Sequence, residues 1–122
     1  MESYIRLRCN QPPDIVEIDP EHLLEGIREA LGCDAIETVP FGGGLMILDD
    51  SGKLIGKPCN PVASLAYHPK RDWIAGDVLL AGIGLRDGEQ DIVPLSKNLQ
   101  EATLADANRI WNHIMLEQEQ MK

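Results

Sequence analysis

The chain opens with alternating apolar and polar residues. The segment YIRLRC, residues 4–9, places its apolar side chains on one side, which is the pattern of a half-buried β-strand. Two prolines at positions 12–13 then interrupt the pattern, because proline cannot donate a ladder hydrogen bond. An extended pattern resumes over residues 14–18. The sequence therefore predicts two strands before any helix.

After position 19 the apolar residues recur at intervals of three and four. Asp19 is a favourable N-cap, and Pro20 suits the first position of a helix. Gly32 is a natural C-terminal stop. The sequence predicts a helix over residues 20–31. Its apolar face comprises Leu23, Leu24, Ile27, Ala30 and Leu31.

Short apolar runs separated by turn residues predict the remaining strands. Residues 78–83 are nearly all apolar, as in a central strand buried on both faces. The turn DDSG at 49–52 favours a hairpin between the runs on either side of it. A last helix is predicted from Thr103, with a frayed tail over residues 116–122. The predicted strands are residues 35–39, 45–48, 53–55 and 78–83, with a short one near Ile92.

This order of elements predicts one α+β domain over residues 1–122. The order is β-β-α-β-β-β-β-α, and the hairpins favour a mainly antiparallel sheet packed by two helices. We expect the helices to bury Leu23, Leu24, Ile27, Ile110, Trp111 and Ile114 against the sheet.

Acidic residues dominate the first half of the chain. The net charge is −9, and residues 1–50 contain 11 acidic and 3 basic residues. Direct nucleic-acid binding is not expected, because phosphate contacts need Lys and Arg. A solvated acidic face, a docking surface for a basic partner and an acidic nucleic-acid mimic all fit this distribution. Glu21, Glu25 and Glu29 lie along one helix face, and they are the candidate partner-binding residues.

The cysteines and the hydropathy pattern favour a cytoplasmic protein. Cys9, Cys33 and Cys59 are odd in number and form no CxxC pair, so we expect small buried apolar residues in a reducing compartment. No apolar run approaches the roughly 18 residues that span a bilayer. The N-terminal MESYIRLRCN lacks the apolar segment of a signal peptide. We expect no membrane contact, no metal and no cofactor.

Three consecutive glycines at positions 42–44 raise the question of a phosphate cradle. Such a cradle usually lies where a strand meets a helix N-terminus. Here the glycines lead into the apolar run LMIL, which is a predicted strand, and no P-loop or GxGxxG motif is present. The sequence therefore favours a bend between antiparallel strands, although glycine also permits a ligand to approach the backbone.

The segment KPCNPVASLAYHPKRDW, residues 57–73, is long for a loop in a compact domain, and long loops are often functional. It combines cations, an amide and aromatic rings, which suits a polar or anionic small molecule. The alternative is that its apolar residues pack into the core while its polar groups face water. The candidate ligand-binding residues, with two cations from outside the loop, are Lys53, Lys57, Asn60, Tyr67, Arg71, Trp73 and Arg86.

The chain resembles a phage and bacterial family known as domain of unknown function 3846. The resemblance rests on a helix ending near glycine and on a hydrophobic strand before the DSGK turn at 50–53. It also rests on the PCN element at 58–60 and the strand motif IAGD at 74–77. It spans most of residues 14–115. The resemblance implies a phage or mobile-element context and supplies no catalytic residues.

The leading interpretation is a small acidic, non-catalytic binding protein. Its partner would be a host protein or a small anionic or nucleotide ligand. HExxH, GxSxG and paired zinc motifs are absent from the sequence, and no arrangement selects two carboxylates for acid–base work. We therefore assign no catalytic residues, and an enzyme of unknown reaction stays an alternative.

Overall fold

The structure is a computed structural model that describes residues 1–66 and 73–121. Within these residues the chain forms six strands, three α-helices and a 3-10 turn at Pro20–His22 that leads into the first helix. In chain order the elements are β1 (Glu2–Leu7), β2 (Asp14–Ile18), α1 (Leu23–Leu31), β3 (Ile36–Phe41), β4 (Gly44–Asp49), α2 (Pro61–Ala66), β5 (Val78–Arg86), β6 (Glu89–Val93) and α3 (Lys97–Gln120).

The six strands form one antiparallel sheet in the order β2-β1-β5-β4-β3, and β6 pairs with the second half of β5. The first half of β5 lies between β1 and β4. Its residues 78–81 are at most 2% exposed, because both faces of the sheet are covered there. The predicted α+β class with a mainly antiparallel sheet is confirmed.

Helices cover both faces of this sheet. On one face, Ile27 and Leu31 of α1 join Tyr4 in an apolar cluster. On the other face, Val62 of α2 and Trp111 of α3 complete a second cluster. The expected burial of Ile27 and Trp111 is therefore confirmed. Three further positions are half-buried, namely Leu23, Ile110 and Ile114.

Leu24 was expected to be buried and is 45% exposed. The stripe of α1 that faces the sheet consists of Leu23, Ile27 and Leu31, which are separated by four residues. Leu24 lies beside this stripe, because neighbouring positions on a helix are rotated by about 100°. Gly32 ends the helix in the left-handed conformation, with φ of 61°, as its sequence position predicted.

The predicted strand at Lys53–Ile55, and the hairpin that it would complete, are wrong. Residues 51–56 form successive turns, in which Ile55 N–H donates to the Ser51 carbonyl and Gly56 N–H to the Lys53 carbonyl. Leu54 and Ile55 are exposed, so they contribute no buried strand face. The hairpin lies one strand earlier, between β3 and β4.

Two helical segments differ from the prediction. The short helix α2 was not predicted, although Asn60–Pro61 is the expected start of a helix, with an amide cap followed by proline. Helix α3 begins six residues before Thr103, because the Ser96 hydroxyl accepts from Leu99 N–H and caps it. It continues to Gln120, through most of the segment predicted to fray. Within the described residues, no helix is sufficiently long and apolar to cross a membrane.

Candidate binding groove

A groove of about 580 Å³ lies between α1 and the edge strand β2. Val16 and Ile18 of β2 provide apolar lining, and both belong to the side of the sheet that α1 covers. Helix α1 approaches β2 closely at Gly26, because glycine has no side chain there. A Cβ at this position would lie only 2.5 Å from the Ile18 methyl group Cγ2. The groove is thus bounded by two regular elements held together at a glycine.

Carboxylates dominate the lining of this groove. The acidic residues that line it are Glu17, Asp19, Glu25 and Glu29. The groove also contains Arg6, whose guanidinium donates to Asp14 at 3.0 and 2.7 Å and to the Ala30 carbonyl at 3.2 Å. Because the charge of Arg6 is paired in this bidentate contact, the groove presents a negative surface.

The three predicted partner-binding glutamates are all exposed. Glu25 and Glu29 line the groove from α1. Glu21 lies in the 3-10 turn, where its backbone N–H donates to the Asp19 side chain, and it is not part of the groove lining. The structure therefore brings Glu25 and Glu29 into one groove and places Glu21 in the turn that precedes α1.

Lys57, a predicted ligand-binding residue, is held by the protein itself. Its Nζ lies 2.8 Å from Oδ2 of the buried Asp49. It also donates to the carbonyls of Leu31 and Gly32 at 3.2 and 3.0 Å. These carbonyls end α1, where the helix dipole favours a cation.

Asp49 is ionised in this environment. Its burial opposes ionisation and would raise the pKa. The hydrogen bonds from Lys57 and Ser51 N–H, together with the charge of Lys57, outweigh that effect and hold the pKa of Asp49 below its ordinary value. A cation that stabilises a buried carboxylate has little capacity left for a ligand anion.

Asn60 is fully buried, and its amide joins three segments of the chain. Its Nδ2 donates to the Leu7 and Gly76 carbonyls at 2.8 and 3.0 Å. Its Oδ1 accepts from Ala63 N–H at 3.0 Å and so caps α2. These bonds connect the end of β1, the residues before β5 and the first turn of α2.

Arg86 lies at the far end of β5, roughly 25–30 Å along the strand from the segment that holds Lys57 and Asn60. Its guanidinium donates to both carboxylate oxygens of Glu2 at 2.9 and 2.5 Å and to the Ile92 carbonyl. The hydrogen bond from Arg86 is the largest cause that lowers the pKa of Glu2. The structure does not bring Arg86 together with the loop residues.

Lys53 and Trp73 do lie together, with the ammonium 4.9 Å from the ring centroid, within the range of a cation–π contact. Tyr67 and Arg71, the other predicted ligand-binding residues, lie outside the described residues. A cavity of about 330 Å³ near Lys57 is lined by Arg8 and Asp77 among others. These two side chains lie 3.6 Å apart, so the charges at its rim compensate each other.

The glycine triplet forms the bend that the sequence favours. Gly42 and Gly43 are the turn between β3 and β4, and Gly42 has φ of 53°. Gly44 packs directly against the backbone of β5. A Cβ at this position would lie only 2.2 Å from the Ala81 carbonyl oxygen. The small cavity beside the triplet has a volume of about 100 Å³ and includes Leu95 and Leu99 in its lining.

The described cysteines are all free, and only Cys9 is buried. Cys59 is exposed, with its Sγ 3.5 Å from the Ser64 hydroxyl. The expectation of burial is wrong for this residue, because the segment before α2 runs along the surface. Among the described residues, no three His, Cys, Asp or Glu side chains are grouped closely enough to hold a metal ion.

Fold and groove define the class: an acidic α+β domain with a carboxylate-lined groove between a helix and an edge strand. The model of the family described as domain of unknown function (DUF3846) matches residues 1–108 of the 122-residue chain. The chain belongs to this family, as the sequence motifs indicated.

One comparison with solved structures concerns the fold alone. The structure titled "Crystal structure of small RNA methyltransferase HEN1" is similar, with a TM-score of 0.54 and 20% sequence identity. The match covers 80% of this chain and 15% of that chain, so this protein corresponds to a small part of the methyltransferase. A search of curated proteins found no match.

Proposed function

We propose that this protein is a small, non-catalytic binding protein of a phage or mobile element, and that it binds a basic region of a host protein. The observation that carries the proposal is the groove between α1 and β2. It combines an apolar floor with the carboxylates of Asp19, Glu25 and Glu29, and its arginine is paired internally. Lys and Arg side chains entering such a groove would gain both packing along their stems and charge complementarity.

The pairing of the predicted cations favours this partner over a small anionic ligand. Lys57 is bound to Asp49, and Arg86 is bound to Glu2. An anion at either place would have to compete with a carboxylate already in contact. The glutamates of α1 are exposed, and Glu25 contacts only the exposed His22 ring among the described ion pairs, at 3.9 Å.

The test is a quantitative pull-down from a bacterial lysate with two variants of equal charge change. The groove variant carries Glu21→Lys, Glu25→Lys and Glu29→Lys. The control carries Glu89→Lys, Glu101→Lys and Glu119→Lys, at exposed positions on β6 and α3. We expect the wild type and the control to enrich the same basic protein and the groove variant to lose it.

Both variants should fold, because all six replaced side chains are exposed. In the groove variant, lysines near the N-terminal end of α1 lose a favourable interaction with the helix dipole of about 0.3–1 kcal/mol each. Thermal unfolding checks this. The same partners recovered with all three proteins would contradict the proposal. If added DNA prevents the wild type and both variants from capturing their partner, the protein is a nucleic-acid mimic instead.

A further inference from the structure

The outer edge of β2 borders the groove. β2 is the strand at one end of the sheet, and it pairs with β1 from Glu2↔Ile18 to Arg6↔Asp14. Within the described residues, no strand pairs with its other side. An edge of this kind presents backbone N–H and C=O groups to any extended segment that lies against it. The groove and the edge therefore form one continuous surface.

Both faces of this edge carry a carboxylate beside an apolar group. On the face that α1 covers, Val16 and Ile18 lie next to Glu25 and Glu29. Because strand side chains alternate, the opposite face presents Ile15, which is 39% exposed, and its second neighbour Glu17. A strand added to β2 would have side chains on both faces of the sheet, and on each face they would lie near a carboxylate.

The charge of the edge decides which segment can occupy it. A second copy of this chain has a net charge of −9, and opposing carboxylates in adjacent strands are destabilising. A basic segment meets the opposite sign. The other end of the sheet is different, since β3 contains Pro40, a residue that discourages edge pairing. β2 has no proline between Asp14 and Ile18.

We propose that the basic partner binds as an extended segment that adds to β2 as a further strand, with Lys or Arg at alternate positions directed towards Glu25 and Glu29. Main-chain hydrogen bonds to β2 hold the segment, and the alternate side chains select it. This inference rests on the proposed function and specifies the conformation and side-chain pattern of its partner.

The test begins with a library of random twelve-residue peptides displayed on yeast and selected against the intact protein. We expect the recovered peptides to carry Lys or Arg at every second position. Their affinity should fall about tenfold or more in the variant Glu25→Lys/Glu29→Lys, as for lost charge-assisted contacts. It should be unchanged in the matched variant Glu101→Lys/Glu119→Lys.

The deciding measurement uses the best recovered peptide in two synthetic forms, each N-methylated at one alternate set of residues. In an added strand only one set of N–H groups faces β2. One form should therefore lose binding about tenfold or more, while the other retains it. Amide hydrogen exchange should slow at the residues of β2 whose N–H groups face away from β1 when the unmethylated peptide binds.

The possible failures separate the two proposals. Equal binding of both methylated forms, or basic peptides without two-residue spacing, would overturn strand addition while leaving acidic docking in place. Peptides that bind the Glu25→Lys/Glu29→Lys variant as well as the wild type would overturn both. A selection that yields no binding peptide would also overturn both.

Discussion

At the scale of single residues, polar side chains that look suited to a ligand complete the fold. Lys57 and Asn60 combine a cation and an amide within a long loop, which is typical of a recognition site. In the structure, Lys57 neutralises a buried carboxylate and Asn60 satisfies three backbone groups. A buried polar group without a partner costs about 1–3 kcal/mol, so both side chains stabilise the protein.

Replacing Lys57 should therefore affect stability. In Lys57→Ala the Asp49 carboxylate, 6% exposed, loses its cation. Removing one partner of a buried pair typically costs about 3–5 kcal/mol, and we expect the lower end of this range because Lys57 itself retains some exposure. Urea denaturation measures the change in the free energy of unfolding.

The matched control is Lys53→Ala in the adjacent turn. Lys53 is exposed and contacts the Trp73 ring, so its loss should cost at most about 1 kcal/mol. The double variant Lys57→Ala/Asp49→Asn should regain part of the lost stability, because no unpaired charge is left buried. Equal urea midpoints for Lys57→Ala and the wild type would show that the ion pair does not stabilise the fold.

At the scale of secondary-structure elements, the glycine triplet determines how the β3–β4 hairpin meets β5. Its three positions have different requirements. Gly42 needs a positive φ, Gly43 has open space where a Cβ would lie, and Gly44 lies against the backbone of Ala81. The triplet therefore serves one turn and one close contact between strands.

Alanine substitutions should distinguish these positions. Gly44→Ala should destabilise strongly, by more than the roughly 1–3 kcal/mol typical of overpacking, because the atom that its Cβ meets belongs to the backbone of a central strand. Gly42→Ala should cost about 1 kcal/mol through strain at positive φ. Gly43→Ala should be neutral or slightly stabilising. Chemical denaturation of the three variants measures this order, and a Gly43→Ala protein as unstable as Gly44→Ala would contradict it.

At the scale of the whole molecule, four titratable groups in and beside the sheet have shifted pKa values. The Arg86 hydrogen bond lowers the pKa of Glu2, and the contacts of Asp49 lower its pKa despite burial. Burial raises the pKa of Tyr4 strongly, aided by its hydrogen bond to Glu2. Burial and the charge of Asp77 raise the pKa of Cys9 to about 11.

These shifts predict the pH range over which the protein is most stable. Groups with a lowered pKa contribute stability that is present above the unfolded-state value, near 4 for carboxyls, and that is lost as pH falls through the folded-state value. Groups with a raised pKa contribute stability below the unfolded-state value, about 8.5 for Cys and 10 for Tyr, and lose it at higher pH. Stability should therefore be greatest between about pH 5 and 8 and decline on both sides.

Urea unfolding from pH 3 to 11 measures this profile, and single variants assign its two limbs. Asp49→Asn should reduce the loss below about pH 4, whereas Asp50→Asn, at the exposed neighbouring position, should leave it unchanged. Cys9→Ala should reduce the loss above about pH 9. Identical acid limbs in Asp49→Asn and the wild type would exclude Asp49 as a cause of acid unfolding.

The sequence by itself determined the elements whose local signals agree. Gly32 ends the first helix as predicted, and Asp19 caps the 3-10 turn at Pro20–His22 that leads into it, so that the α-helix itself begins at Leu23 and not at Pro20. Capping and left-handed φ act within a few residues, which is why the sequence shows them. The uninterrupted apolar run of β5 indicated a strand covered on both faces. The motifs also indicated the family, and the charge distribution indicated the acidic helix face.

Tertiary structure decided everything that depends on contacts between distant segments. No local pattern shows that Lys57 pairs with Asp49 and donates to the carbonyls at the C-terminal end of α1. Nor does any local pattern show that Arg86 pairs with Glu2, 84 positions away in the sequence. The run at Lys53–Ile55 had a strand pattern, but its turns place both of its apolar side chains in solvent. The groove likewise arises only when Gly26 brings α1 against Ile18, because its two walls come from separate elements and no sequence spacing encodes their approach.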